Sequence, residues 1–361
     1  MEMYKILLDY GGAMKSKTLM ILQIAATYMG TVVGAGFASG QSIMHFFTIY
    51  GAYGGVGIGI ATAFFIWIGT KMMILSHRLK ASSYQELNDY LFGGFFGKVA
   101  NTLTFIILFG VTAVMMSGTG SIFEEQLRLP YQFGIIISML LCYLVMSKDM
   151  HGILAINSLV MPLMLFFMVL VIIRVVGLDG IGGAANWQEL QASTHLKWIM
   201  SPFTYVALNF AFAQAVLVPL GSEVQDESIL KWGGLWGGIG LGVMLMISHL
   251  AIHSRMPEIL NFEIPMAEII RGFGRFFHVL FILVIYGEIV TTLIGNVFGI
   301  TRHIGRIHPL PRNWVVLGIL LICLGISQVG FTSLLTYLYP LFGYMGMILL
   351  IFLVGRPLPS K

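Results

Sequence analysis

The stretch GTVVGAGFASGQ, residues 30–41, lies in the middle of the first long apolar segment of the chain. It holds four glycines within eleven residues, and each glycine destabilises an α-helix by about 1 kcal/mol relative to alanine. Non-helical backbone at membrane depth is tolerated only where it lies against protein, a cavity or a ligand. The stretch therefore predicts a helix that breaks midway. The alternative is an unbroken helix whose glycines line a packing groove.

A break at this point would free backbone groups for a ligand. The amides of Gly34, Ala35 and Gly36 would lie at the start of the second half-helix, a position that suits a carboxylate. The freed carbonyls of Gly30 and Val33 would suit a cation instead.

The composition places most of the protein in a lipid bilayer. Of its 361 residues, 57% are hydrophobic and 10% are charged, and the mean hydropathy is +0.88. A water-soluble domain cannot cover that much apolar surface, so lipid must cover it. The net charge of +4 comes from basic residues scattered through loops. We therefore expect the bilayer, and not a nucleic acid, as a partner.

Ten apolar runs are long enough to cross the roughly 30 Å of hydrocarbon in a bilayer. We number them spans 1 to 10, and they cover residues 18–49, 52–75, 98–122, 132–147, 151–177, 198–221, 230–253, 276–301, 313–330 and 333–355. Lys and Arg are shared unequally between the two sides, fourteen against six. Because cytoplasmic loops are enriched in basic residues, this distribution predicts an all-α, multi-pass cell-membrane protein with both termini in the cytoplasm.

Two similar glycine-rich sequences divide the chain into halves. GGVGIGI at 54–60 and GGIGLGV at 237–243 lie 183 residues apart, and each opens a long apolar span. Five spans per half would insert the second copy upside down, which is the inverted repeat of many transporters. The predicted parts are an N-terminal tail, a first repeat, an extracytoplasmic connection, a second repeat and a C-terminal tail, at 1–17, 18–177, 178–197, 198–355 and 356–361. Short amphipathic surface helices are expected within 82–96 and 257–273.

Span 6 carries polar side chains at membrane depth. In ALNFAFAQAVLVPLG, residues 207–221, Asn209 and Gln214 lie mid-span, where a buried amide needs a hydrogen-bond partner or a substrate. Pro219 lacks an amide proton and disturbs the preceding turn. The sequence predicts that span 6 is discontinuous as well. The aromatic residues beside the amides either wall a pocket or face lipid; they are Phe210 and Phe212.

Span 8 contains Glu288, the one acidic residue well inside a predicted span. Such a residue marks a functional site by default, so Glu288 is a candidate for proton coupling; the alternative is a protonated carboxyl bonded to another helix. Thr291 and Thr292 follow on the same side of the helix. The Glu288 carbonyl, the two hydroxyls and the carbonyls of Gly30 and Val33 form a candidate site for a small hard cation such as Na⁺. Threonines in membrane helices also bond to their own i−4 carbonyl, and the spacing leaves that alternative open.

These features together resemble a known family. The G-x-x-x-G-x-G run of span 1, the paired hydroxyls of span 8 and the five-plus-five layout resemble the LeuT-type fold of the amino acid–polyamine–cation superfamily. Within it, GAGFASGQ followed by FFTIYG is most similar to the bacterial YkvI-like amino-acid permeases. The resemblance covers residues 18–355. It implies amino-acid or amine transport by alternating access in a bacterial cytoplasmic membrane, with spans 1 and 6 holding the substrate.

The resemblance also implies positions for the ligands. The sodium site of many relatives maps onto Gly30, Val33, Glu288, Thr291 and Thr292. Some proton-coupled relatives fill that site with a lysine from span 5, which is absent here, and this favours sodium. Glu288 stands where relatives usually have a small residue, and span 6 lacks the expected glycines. The implied substrate site comprises Gly34, Ala35, Gly36, Phe37, Ser39, Asn209, Phe210, Phe212 and Gln214.

The leading hypothesis is a secondary active transporter of an amino-acid-like solute, driven by Na⁺ or H⁺ and without a resident cofactor. The sequence shows no nucleotide-binding loop and no catalytic triad, which disfavours a primary pump. The first alternative is a receptor that binds the solute without moving it. The second is an intramembrane enzyme, which would need a second acid, histidine or nucleophile near Glu288.

Overall fold

The computed structural model describes residues 17–146, 160–173, 197–307 and 310–359, and within these ranges the chain forms helices and turns without a β-strand. The predicted N-terminal tail and the extracytoplasmic connection lie outside these ranges except for Lys17 and Lys197. Span 1 consists of three helices, α1 (Lys17–Val32), α2 (Ala35–Ser39) and α3 (Gln41–Phe46). The predicted break in span 1 is therefore confirmed.

The remaining helices follow the predicted order. They are α4 (Ala52–Leu79), α5 (Tyr84–Phe92), α6 (Gly94–Gln126), α7 (Tyr131–Met146), α8 (Val160–Ile173), α9 (Lys197–Glu223), α10 (Glu227–His253), α11 (Pro265–Arg271), α12 (Arg275–Ile307), α13 (Arg312–Ser327) and α14 (Phe331–Gly355). One π-turn interrupts α4 at Phe65–Gly69 and another closes α6 at Ile122–Gln126. Short helices do occur within 82–96 and 257–273, namely α5, α11 and the 3₁₀ turn Glu258–Asn261.

Among the described residues, six helices are long and apolar enough to cross a membrane, and these are α4, α6, α9, α10, α12 and α14. Three shorter apolar helices, α7, α8 and α13, accompany them. The predicted ends of the spans agree with the helices to within six residues wherever both fall inside the described ranges. The count of ten spans, the inverted repeat and the side on which the termini lie stay predictions.

The prediction that span 6 is discontinuous is wrong. Helix α9 runs unbroken through 27 residues and contains both Pro202 and Pro219. The side-chain amide of Asn209 donates to the carbonyl of Tyr205 (2.7 Å), and that of Gln214 donates to the carbonyl of Ala211 (2.9 Å). Both side-chain amides donate within their own helix, and the residues between Asn209 and Gln214 include no glycine to make a break inexpensive.

Helix α10 fits between α1 and α4 because its glycines allow a close approach on two sides. A Cβ atom on Gly237 would lie 2.6 Å from the ring of Tyr28 in α1. A Cβ on Gly238 would lie 2.7 Å from the backbone of Ile66 in α4. Small residues at these contacts are typical of helix packing in membranes. The second copy of the glycine-rich sequence is thus a packing surface.

The protein exposes many large apolar side chains and buries several polar ones, which distinguishes its surface from that of a water-soluble protein. Large apolar or aromatic side chains project outward, with Tyr337 77% exposed, Phe276 73% and Trp314 71%. In contrast, Gln214 and Glu288 are fully buried in the interior. Lipid covers the first group, while the second requires partners inside the protein.

Candidate functional site

The centre of the candidate site is the gap between α1 and α2. Val33 still donates its amide to the carbonyl of Met29 (2.8 Å), but Gly34 turns to an extended conformation with φ −111° and ψ −167°. The helix then restarts, with the amide of Ala38 donating to the carbonyl of Gly34 (2.8 Å). The amide of Ala35 points at the sulfur of Met115 in α6, 3.1 Å away. A thioether is a weak acceptor, so this amide keeps most of its capacity for a better one.

The gap lies where three other spans pack against span 1. A Cβ on Gly34 would approach Met115 of α6 to 3.0 Å and the methyl group of Thr292 in α12 to 3.3 Å. A Cβ on Gly36 would lie 2.7 Å from the ring of Tyr339 in α14. Every residue from 27 to 44 is buried. The break is therefore enclosed by protein, the setting in which irregular backbone is tolerated at membrane depth.

A second interruption follows at Gly40, which adopts a left-handed conformation (φ +88°) between α2 and α3. The hydroxyl of Ser39 stabilises this corner by donating to the carbonyl of Gly36 (3.3 Å) and accepting from the amide of Gln41 (3.3 Å). The Gln41 side chain donates to the carbonyl of Phe262 (2.6 Å), which ties the corner to the connection between α10 and α11. Ser39 thus supports the backbone at this corner.

Four of the five predicted cation ligands come together around the break. The hydroxyl of Thr292 lies 3.0 Å from the carbonyl oxygen of Glu288 and 3.2 Å from that of Val33. The hydroxyl of Thr291 donates to the same Glu288 carbonyl at 2.9 Å. Both threonines make the bond to their own helix that the sequence left open, but Thr292 also bridges to span 1. The fifth predicted ligand, Gly30, is buried one turn earlier in α1.

The carboxyl group of Glu288 is a separate feature of α12. Its side chain is 0% exposed, and neither carboxyl oxygen has a hydrogen-bond partner among the described residues. Its neighbour Gly287 lies against Val160 of α8, at the far side of the helix from Thr292. A buried acid without partners costs free energy unless it is neutral or meets a ligand.

Two of the predicted substrate residues of span 6, Phe210 and Gln214, contact side chains of neighbouring helices. Phe210 packs in an aromatic group with Tyr28 of α1 (6.4 Å between ring centroids) and Phe65 of α4 (5.6 Å). Gln214 reaches α6, donating to the hydroxyl of Thr104 at 3.1 Å. Phe212 is buried, at 3% exposure.

The structure reveals polar residues near the gap that the sequence did not indicate. The hydroxyl of Tyr205 in α9 lies near the side chains of Ser42 and Asn209, yet neither it nor the Ser42 hydroxyl makes a hydrogen bond within the described part of the chain. Both residues are 1% exposed. The ring of Tyr339 closes the same region from α14. Ser42 and Tyr205 are far apart in the sequence, so no local pattern signalled this contact.

Comparisons with known proteins agree with this architecture. No protein-family model matches the sequence. YkvI, an uncharacterized membrane protein of Bacillus subtilis (strain 168), is 37% identical over 339 residues, covering 94% of this chain and 96% of the relative. The chain belongs to the YkvI family of membrane proteins. A second relative, the uncharacterized protein YyaD of the same organism, is 26% identical over 333 residues and covers 92% of this chain and 96% of its own length.

A solved structure extends the comparison from the YkvI family to a fold. The substrate-bound, outward-open state of a Na⁺-coupled sialic acid symporter matches with a TM-score of 0.68, covering 90% of this chain and 76% of the symporter at 13% identity. At this identity the likeness shows a common fold alone. The LeuT-like architecture expected from the sequence is thus supported, while the chemistry of the site must come from this chain's own residues.

Proposed function

We propose that this YkvI-family protein is a secondary active transporter of an amino acid or a related small amine. It works by alternating access and couples the solute to the movement of Na⁺, with H⁺ as the alternative coupling ion. The observation that carries the proposal is the enclosed break between α1 and α2, where backbone and hydroxyl groups of three spans converge. A packing helix gains nothing from such a break, whereas a transporter uses it to bind cargo.

The substrate carboxylate is assigned to the amides of Gly34, Ala35 and Gly36. The Ala35 amide faces only a sulfur atom 3.1 Å away, and a carboxylate oxygen is a far stronger acceptor. The hydroxyls of Ser42 in α3 and Tyr205 in α9 are buried without hydrogen-bond partners in the described ranges. They supply further acceptors and donors for a zwitterionic solute.

The cation is assigned to the oxygens of Val33, Glu288, Thr291 and Thr292. Their spacing of 2.9–3.2 Å lets one small ion contact several of them at once, after each threonine proton rotates away from its carbonyl. Because Val33 belongs to span 1 and the other three ligands to α12, the ion would join two spans. Binding of Na⁺ would thereby favour the conformation in which the substrate site is complete.

The cation assignment is tested with the double substitution Thr291→Ala and Thr292→Ala in purified protein. We expect Na⁺ to raise the affinity for the substrate in the wild type and to change it less than twofold in the double variant. Loss of a tenfold Na⁺ effect would correspond to about 1.4 kcal/mol of coupling. The substrate is first found by thermal shift in a panel of amino acids and amines with and without Na⁺.

The matched control is Thr62→Ala, since the Thr62 hydroxyl makes the same type of bond to Ile58 (2.7 Å) on α4, away from the break. This variant should keep the Na⁺ effect. Unchanged Na⁺ dependence in the double variant would remove the cation site. Uptake into proteoliposomes under an ion gradient separates transport from sensing, because a receptor would bind the solute without accumulating it.

A further inference from the structure

Two buried hydroxyl groups beside the break in span 1 lack hydrogen-bond partners. They belong to Ser42 of α3 and Tyr205 of α9, and each of these residues is 1% exposed. Neither hydroxyl makes a hydrogen bond to another of the described residues. A hydroxyl that leaves water without gaining a partner is costly, and native proteins keep few such groups. Two of them at one place indicate that a ligand supplies the missing hydrogen bonds.

The two hydroxyls lie beside the site assigned to the substrate carboxylate. A Cβ atom on Gly36, whose amide belongs to that site, would lie 3.1 Å from the Cβ of Ser42 and 2.7 Å from the ring of Tyr339 in α14. The Tyr205 hydroxyl lies near the Ser42 side chain, and Tyr339 lies near both Tyr205 and the backbone of Gly36. Because these groups are so close together, only a short side chain of the solute fits between the carboxylate site and the two hydroxyls.

The ring of Tyr205 is fixed by its aromatic neighbours. It packs against Phe46 and Phe47 at the end of α3, with 5.3 Å and 5.0 Å between ring centroids, and against Phe65 of α4 at 6.2 Å. Contact with three rings sets the position of the phenol oxygen, so this oxygen cannot move to a partner elsewhere in the protein. A polar group held in this way discriminates strongly between ligands that can and cannot bond to it.

The groups around Gly36 suit a neutral polar side chain. Within the described ranges the buried residues include no Lys, Arg or Asp, and the one buried Glu is Glu288 on α12. The polar side chains at Gly36 come instead from α3, α9 and α14. A charged side chain of the solute would lose its water there without gaining a counter-charge. A hydroxyl group matches, because it can donate to one protein hydroxyl and accept from the other.

We propose that the solute is a short, neutral α-amino acid with a hydroxyl group in its side chain, and that Tyr205 and Ser42 select it by bonding to that hydroxyl. The inference rests on the proposed function and narrows its substrate to one chemical class. The carboxylate of the solute binds the backbone amides at the break, which places its side chain beside the two protein hydroxyls. A methyl group in place of the solute hydroxyl would leave both of them unpaired.

Threonine and valine test this selection, because they have nearly the same shape and differ in one hydroxyl group. Purified wild-type protein in Na⁺ should bind threonine at least about tenfold more tightly than valine, measured by isothermal titration calorimetry. Tyr205→Phe should reduce this preference to less than about threefold, and Ser42→Ala should reduce it in the same direction. Since the Tyr205 hydroxyl has no partner among the described residues, Tyr205→Phe should not lower the Tm of the ligand-free protein.

Two matched controls remove a hydroxyl that already has a partner. Tyr131→Phe removes the bond from α7 to the Ser327 carbonyl (2.7 Å), and Ser76→Ala removes the bond within α4 to the Met72 carbonyl (2.9 Å). Both controls should keep the preference for threonine. Equal binding of threonine and valine by the wild type, or a preference that survives in both test variants, would overturn this inference and leave the transporter proposal standing. If no amino acid or amine binds the wild type, the proposed function fails and the inference fails with it.

Discussion

At the scale of single residues, Glu288 shows how burial restricts chemistry. The carboxyl has no hydrogen-bond partner among the described residues and no exposure, and an unpaired charge there would cost several kcal/mol. It is therefore neutral unless a cation approaches it, and a neutral acid that can lose its proton is suited to proton coupling. A Gln side chain has nearly the same shape as a protonated Glu side chain but has no proton that it can release.

We expect Glu288→Gln to leave the Tm nearly unchanged and to flatten the pH dependence of substrate uptake, assayed between about pH 5 and pH 8. Uptake into proteoliposomes across this pH range is the measurement. Glu268→Gln is the control, because that carboxylate lies outside the core and pairs with Arg271 at 2.7 Å. A pH profile identical to that of the wild type would assign Glu288 to packing.

At the scale of helices, close packing and helix propensity make opposite predictions for two glycines. Gly59 of α4 has open space around its Cβ position, whereas a Cβ on Gly238 of α10 would lie 2.7 Å from the backbone of Ile66. Alanine favours a helix by about 1 kcal/mol over glycine, but overpacking costs about 1–3 kcal/mol. We expect Gly59→Ala to raise the Tm and Gly238→Ala to lower it. A raised Tm in both variants would show that α10 and α4 can separate without cost.

The two predicted helix breaks show how far a sequence can specify an element. In span 1 the clustered glycines were sufficient to predict a break, because the helix stability that each glycine removes is local and additive. The structure places interruptions at Gly34 and Gly40. In span 6 the polar side chains suggested a break, but a side-chain amide can bond to its own helix, as Asn209 does. Only tertiary structure decides between these outcomes.

The site could be predicted only where one helix supplies several groups. Thr291 and Thr292 share a face with the Glu288 carbonyl by helical geometry alone. Ser42 and Tyr205 meet across two helices that are 163 positions apart in sequence, and no local pattern brings them together. In an isolated sequence the ring of Tyr205 indicates packing in the core, and its hydroxyl becomes informative only when its surroundings are known.

At the scale of the whole molecule, alternating access requires spans to move relative to one another. Lys17, at the start of α1, forms an ion pair with Asp226 in the turn between α9 and α10 (2.9 Å), and both side chains are about half exposed. The side-chain hydrogen bond from Lys17 lowers the pKa of Asp226. The carboxylate therefore stays charged through the usual pKa range of Asp, and the ion pair is lost only as the pH falls below that range. This contact ties α1 to the second half of the protein.

Joining these two positions covalently should therefore stop transport while preserving binding. In a Lys17→Cys, Asp226→Cys variant, a short bis-methanethiosulfonate cross-linker, which forms a disulfide with each thiol and releases methanesulfinate, should abolish uptake into proteoliposomes, leave substrate binding within about twofold, and be reversed by dithiothreitol. The native Cys142 and Cys323 are buried and provide little background reaction. Each single-cysteine variant treated alike should keep full uptake. Full uptake by the cross-linked protein would show that the start of α1 does not separate from this turn during the transport cycle.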